Sequence, residues 1–249
     1  MWKIHFLLII GMLLTACSGE QHAPTASAPE RPAPVAISGE GATETAKDAQ
    51  LDTQTNAEDT AFTIVMLGDS LTAGFDLAIE EALPDQVALL LESKGYDVNV
   101  INAGVSGDTT AGGLARYDWS VASANPDLLI VALGANDFLG GLSPTRAKDN
   151  LGSILERAKA DGLEVILASV EAGNRGDDDP RIAEYSAIYP ELAEAYDVPL
   201  FEDILRGVRD DFTLVQLDGL HPTRDGVKLM ARRMARFLEP HLPKEASAP

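Results

Sequence analysis

The single cysteine of the chain is Cys17, so the body beyond it offers no thiol nucleophile, no intrachain disulfide and no cysteine-based zinc cluster. Nucleophilic chemistry there must use oxygen or nitrogen. Of the two histidines in that body, His241 lies at its far end between Pro240 and Pro243, which leaves His221 as the imidazole a general base would need. Asp218 stands three residues earlier, and Gly219 permits the tight backbone that lets its carboxylate curl back and hold one ring nitrogen. A serine hydroxyl becomes a competent nucleophile once such a base takes its proton, and Ser70, within Gly68-Asp69-Ser70-Leu71, is one candidate. The order serine, aspartate, histidine agrees with α/β hydrolases, yet position 72 is a threonine where a G-x-S-x-G elbow needs glycine. Plainer readings exist for each piece. A Gly-Asp-Ser triplet after a strand is commonly a turn with a helix cap, Asn136 alone suits a turn, and Gly107 alone suits a backbone bend.

Such side chains must be delivered by regular elements. Apolar runs at Phe62 to Leu67, Val98 to Ile101, Leu128 to Leu133 and Val165 to Leu167, with a short Pro199 to Phe201, are strand-sized and nearly continuous, as strands buried on both faces are. Helical spacing fills the intervals. Pro84 and Gly95 bracket a helix, Ser143-Pro144 opens a second with Leu151, Ile154, Leu155 and Ala158 on one face, and Asp179-Pro180 opens a third. Pro190 should kink that third helix. A last helix from about Asp225 carries Val227, Met230, Ala231, Met234, Phe237 and Leu238 on one side. Strands joined by crossover helices give one three-layer α/β/α sandwich over residues 61–242, with a central, mainly parallel five-stranded sheet. Ligands of such sheets bind beyond the C-terminal ends of the strands.

The segments at those ends are Gly68-Asp69-Ser70-Leu71, then Asn102-Ala103-Gly104-Val105-Ser106-Gly107-Asp108-Thr109, then Gly134-Ala135-Asn136-Asp137, with Asp218-Gly219-Leu220-His221-Pro222 before the last helix. This ordered set resembles the SGNH or GDSL hydrolase family, with Ser70, Gly107, Asn136 and His221 at the four positions that name it. Ser106 to Thr109, Ser186-Ala187-Ile188-Tyr189-Pro190 and Asp197-Val198-Pro199-Leu200 are similar to its bacterial arylesterase, lysophospholipase and acyl-CoA thioesterase I branch. The resemblance covers nearly all of Phe62 to Leu238. It implies a flavodoxin-like fold and a serine hydrolase of carboxylic esters that works through an acyl-enzyme, with Ser70, Asp218 and His221 as catalytic triad. The oxyanion hole it implies is made by the Ser70 and Gly107 backbone N–H groups and the Asn136 side-chain amide, Gly107 leaving room for close backbone approach. Asp69 reads as a hydrogen-bonding support for the serine turn rather than a catalytic acid. The scheme calls for no metal and no cofactor.

Charge narrows the substrate. With 19 Lys+Arg against 39 Asp+Glu the net charge is -20, which repels nucleic acid and other polyanions. Acyl-CoA is disfavoured for the same reason. Neutral aryl or short acyl esters, or zwitterionic lysophospholipids, fit better, and thioesters stay open as a further class. The segment from Glu171 to Asp179, with Asp177, Asp178 and Asp179 in a row, departs from the apolar pattern of that branch and lacks EF-hand spacing, so it is expected to be a plain solvated loop. A carbohydrate O-acetyl esterase would use the same reactive groups. A non-catalytic ligand-binding lipoprotein is a further reading, although no G-x-G-x-x-G follows the first strand.

The N-terminal part reads as an address and a tether. Residues 1–16 have a short n-region with Lys3, an apolar run from Phe6 to Leu14 and small residues before Cys17, the layout of a secretory signal too short to span a bilayer. Leu14-Thr15-Ala16-Cys17 resembles the lipobox of bacterial lipoproteins, which implies lipidation at Cys17, and Ser18 goes with sorting to the outer membrane. Residues 17–60 are rich in Ala, Pro, Ser and Thr and cannot bury enough apolar surface to fold, giving a disordered tether with a reach of roughly 35–40 Å. Residues 243–249 read as a disordered tail. The expected protein is therefore an exported monomer, lipid-anchored at the periplasmic face of the outer membrane.

Overall fold

The computed structural model describes residues 61–171 and 178–243. The expected signal, Cys17, the tether to residue 60, Asp177 and the tail beyond Pro243 lie outside the described residues. The five strands are β1 (Phe62–Gly68), β2 (Val98–Gly104), β3 (Leu128–Ala132), β4 (Glu164–Ala168) and β5 (Leu200–Phe201). They lie in the order β2-β1-β3-β4-β5, and every pairing is parallel. The apolar runs explain the layering. Ile64 to Leu67 and Leu128 to Val131 are at most 1% exposed, so both faces of the central strands need helical cover.

That cover comes from α1 (Ser70–Ala73), α2 (Leu83–Glu92), α3 (Thr110–Ala115), α4 (Tyr117–Ser120), α5 (Ala135–Leu139), α6 (Pro144–Ala160), α7 (Arg181–Tyr196) and α8 (Arg224–Leu238). α2 packs on α8, while α6 packs against α3 and α7, which gives the three layers expected. α8 buries Val227, Met230, Ala231, Met234 and Leu238 and leaves Arg232 and Arg236 exposed, the stripe that helical spacing predicts. α7 continues through Pro190 as one element.

The differences from the sequence reading lie at the strand ends. β2 runs on past Ile101, because Asn102, Ala103 and Gly104 keep pairing with Met66, Leu67 and Gly68 through backbone groups alone. The segments expected as loops after β1 and β3 run into the short helices α1 and α5, and α3 and α4 follow the one after β2, all too brief for a 3.6-residue period to register.

The sheet order places the site. From β1 the chain pairs β2 on one side and then returns to pair β3 on the other, so a crevice opens at the C-terminal ends of β1 and β3. α1 sits directly on the ends of β1 and β2. A β-carbon on Gly104 would stand 2.3 Å from the Ala73 backbone nitrogen, and one on Gly68 would stand 2.0 Å from Thr72 Oγ1. Glycine at these positions lets the serine-bearing turn rest on the sheet. Gly104→Ala is expected to lower stability by about 1–3 kcal/mol through overpacking and to lower kcat by lifting α1. Chemical denaturation and turnover of a soluble ester check both effects.

Candidate active site

Ser70 is the first residue of α1, and Asp69 caps that helix, its Oδ1 accepting from the Leu71 N–H at 3.0 Å. His221 arrives from the far end of the chain, in the segment between β5 and α8. The loop that carries it is closed by the Gln216 N–H donating to the His221 carbonyl at 2.7 Å, and Gly219 supplies the positive φ of 73° that the bend requires. Gln216 also staples this loop to the serine side. Its Nε2 donates to the carbonyls of Phe75 and Pro222, each at 2.9 Å, while the Phe75 ring stacks on the imidazole at 4.3 Å.

These supports bring His221 Nε2 to 2.8 Å from Ser70 Oγ across 151 positions of sequence, and His221 Nδ1 to 2.5 Å from Asp218 Oδ2. The other Asp218 oxygen accepts from the backbone N–H groups of Leu220 at 2.9 Å and His221 at 3.1 Å. Burial pushes the Asp218 carboxyl up, but the imidazole and the two backbone donors outweigh it and bring its pKa down to about 2. An ionised Asp218 can only accept. Nδ1 therefore carries the ring proton in the neutral imidazole, and the Nε2 lone pair faces the serine hydroxyl.

Asn136 is the second residue of α5. One of its amide hydrogens is committed to the Asp108 carbonyl at 2.8 Å, whereas the contact to Asp69 Oδ2, at 3.4 Å, is long enough to yield to a better acceptor. The serine N–H, at the start of a helix, has no intrahelical acceptor. Gly107 sits on the adjacent β2–α3 turn, which the Asp108 N–H closes onto the Val105 carbonyl at 3.0 Å and the Val105 N–H ties to the Gly68 carbonyl at 3.0 Å. Its φ of 82° explains the glycine. A β-carbon there would meet no protein atom within 4 Å, so the backbone conformation, not crowding, imposes it.

Residues that sequence reasoning missed hold these turns together. Arg116 is 7% exposed, and its guanidinium donates to Asp108 Oδ2 at 2.6 Å, to the Gly68 carbonyl at 2.9 Å and to Ser120 Oγ at 3.0 Å. It thereby ties the end of β1 to the Gly107 turn. Asp137, also buried, accepts from the Thr110 N–H at 2.8 Å and the Thr110 hydroxyl at 2.6 Å, which fixes α5 against α3. His241 lies among Leu128, Leu163 and Glu164, at the opposite edge of the sheet from Ser70.

From Ser70 a groove of about 220 Å³ opens, lined by Leu71, Phe138, Leu139, Val170, Val208 and Leu220 among others, with Asn136 and His221 at the serine end. The acidic segment is not simply solvated at its described end. Asp179 Oδ1 accepts from the Arg181 N–H at 2.9 Å and Oδ2 pairs with the guanidinium at 2.6 Å, while Arg181 lies 4.7 Å over the Phe138 ring and donates to its carbonyl at 3.1 Å. Asp179 therefore braces, through Arg181, the Phe138 side of the groove. No group of three His, Cys, Asp or Glu placed to hold a metal occurs among the described residues.

Burial raises the Asp69 carboxyl to about 6, its hydrogen bond from Leu71 and the nearby His221 only partly offsetting the desolvation. Between pH 4 and 6 the native state thus holds a proton that the unfolded chain has lost, so stability falls as pH rises through this range, by about 3 kcal/mol. Asp69→Asn keeps the cap but not the charge. Denaturant melts of this variant are expected to show a flatter pH dependence from pH 4 to 7 and a gain over the parent at pH 7.

The profile of the GDSL-like lipase/acylhydrolase family matches residues 66–229. The chain is 38% identical over 182 residues to the thioesterase 1/protease 1/lysophospholipase L1 of Escherichia coli, spanning 72% of this chain and 85% of that one. It is 36% identical over 183 residues to an arylesterase of Vibrio mimicus, spanning 72% and 89%. The crystal structure of TesA superposes with a TM-score of 0.69 at 32% identity, covering 72% of this chain and 99% of that one. By motif, fold and relatives together, the chain belongs to the GDSL-like lipase/acylhydrolase family.

Proposed function

We propose that this acylhydrolase cleaves neutral carboxylic esters, including aryl esters, short and medium acyl esters and lysophospholipids, with Ser70 as nucleophile, His221 as general base and Asp218 as the group that orients the base. One observation carries the reading: Ser70 Oγ lies 2.8 Å from His221 Nε2 at the end of an apolar groove. As Ser70 Oγ attacks the ester carbonyl, His221 takes its proton and Asp218 stabilises the imidazolium. The oxyanion receives the Ser70 and Gly107 N–H groups and the Asn136 amide hydrogen released from Asp69. His221 then protonates the departing alcohol, and water enters by the same route in reverse to free the acid and Ser70.

A groove with several apolar side chains suits an acyl chain better than the single methyl of a sugar acetate. The net charge of -20 works against acyl-CoA, which carries several negative charges itself. The proposal extends to the cell envelope. Residues 1–16 would direct export, Cys17 would carry the lipid, residues 17–60 would tether the 61–242 domain, and the enzyme would act as a monomer at the periplasmic face of the outer membrane.

Ser70→Ala is expected to abolish labelling by a fluorophosphonate probe and turnover of p-nitrophenyl butyrate, with the unfolding curve unchanged; labelling at full strength would contradict the assignment. Asn136→Ala is expected to lower kcat on that ester by about 10²–10³. Turnover near that of the parent would take Asn136 out of the oxyanion site.

A further inference from the structure

The groove crosses the C-terminal edge of the sheet in strand order. Ser70 follows β1, Phe138 follows β3, Glu171 follows β4 and Arg209 lies beyond β5. Two spacings of about 4.8 Å separate β1 from β4, which sets Glu171, and Arg209 bonded to it, about 10 Å across the sheet edge from the serine. The walls on the way are apolar. At the far end the chemistry changes, because Arg209 Nη1 bonds Glu171 Oε2 and Nη2 bonds Asp203 Oδ1, each at 2.9 Å. The Arg209 and Asp203 side chains are 16% and 9% exposed, so this charge cluster is built into the wall, and only Glu171, at 52%, stays in good contact with water.

The geometry points to a polar stop: the Arg209–Glu171–Asp203 cluster ends the acyl channel and makes Arg209 and Glu171 determinants of chain length, with esters of about octanoyl length the longest used efficiently. This rests on the proposal that Ser70 attacks an acyl group lying in the groove. An extended chain advances about 1.3 Å per carbon, from a C–C bond of about 1.5 Å, so about 10 Å accommodates about eight carbons. Each methylene buried on the way raises kcat/KM about fourfold. Beyond the stop the terminal methyl must strip water from Glu171 and lie against paired charges, with no hydrogen bond returned. The gain ends there.

The test compares p-nitrophenyl esters from butyryl to dodecanoyl, kept monomeric, on the full chain, and reads the dodecanoyl-to-octanoyl ratio of kcat/KM within each variant. A fall in the amount of folded enzyme common to all esters cancels in that ratio. The unaltered enzyme is expected to show a ratio below one. Glu171→Leu, at an exposed position, and Arg209→Met are each expected to raise the ratio at least fivefold, while Arg209→Lys, which keeps the charge, stays within twofold. A ratio above one in the unaltered enzyme, or no rise in either Glu171→Leu or Arg209→Met, would overturn the stop while leaving Ser70-dependent turnover intact. Equal turnover of the panel by Ser70→Ala would overturn the site reading and the stop together.

Discussion

Every feature of the site depends on the 2.8 Å contact between Ser70 Oγ and His221 Nε2, which joins two segments 151 positions apart. No local propensity can make such a contact. It exists because β1, the strand that delivers Ser70, lies inside the sheet at the point where connections diverge, and because the segment after β5 folds back over that point before α8 begins. The hydrogen bonds from Gln216 to the Phe75 and Pro222 carbonyls fix the return, and the Phe75 ring backs the imidazole. The apolar core sets where the strands end, and a handful of polar contacts set where the reactive atoms stand.

The electrostatics around that contact are divided between two aspartates. Asp218 is held ionised by the imidazole and two backbone donors, which suits a group that must accept from a histidine throughout neutral pH. Asp69, one residue before the serine, is buried and its carboxylate is disfavoured there. It caps α1 and competes weakly for the Asn136 amide. The buried guanidinium of Arg116 lies on the other side of the turn, with Asp108 as its partner. Burying such a pair brings little net stability, and removing one partner is costly, so its contribution here is positional. It holds the β1 end and the Gly107 turn in one register.

Much of this was legible before any coordinates. The body has only one histidine that is not at its end, so the base was identifiable by scarcity, and Asp218 followed from reach. Continuous apolar strands announced a parallel sheet, and a parallel sheet announced where to look for the site. The short helices that carry Ser70 and Asn136 could not be read, because four or five residues make little more than one turn and show no repeat. Arg116 and Phe75 were invisible for a different reason: an arginine bonding a carbonyl 48 positions away and a ring stacked on a distant imidazole leave no local pattern. The acidic run ending in Asp179 shows the same limit, since its ion pair and the bracing of Phe138 are tertiary facts about Arg181.

If Ser70 and His221 act as one unit, the loss of either disables the same step. The most direct test is a cycle of Ser70→Ala, His221→Ala and the double variant on one soluble ester, with kcat as the readout. The double variant should be about as slow as the slower single variant. Losses that multiply would show two independent contributions and contradict the coupling on which the site is built.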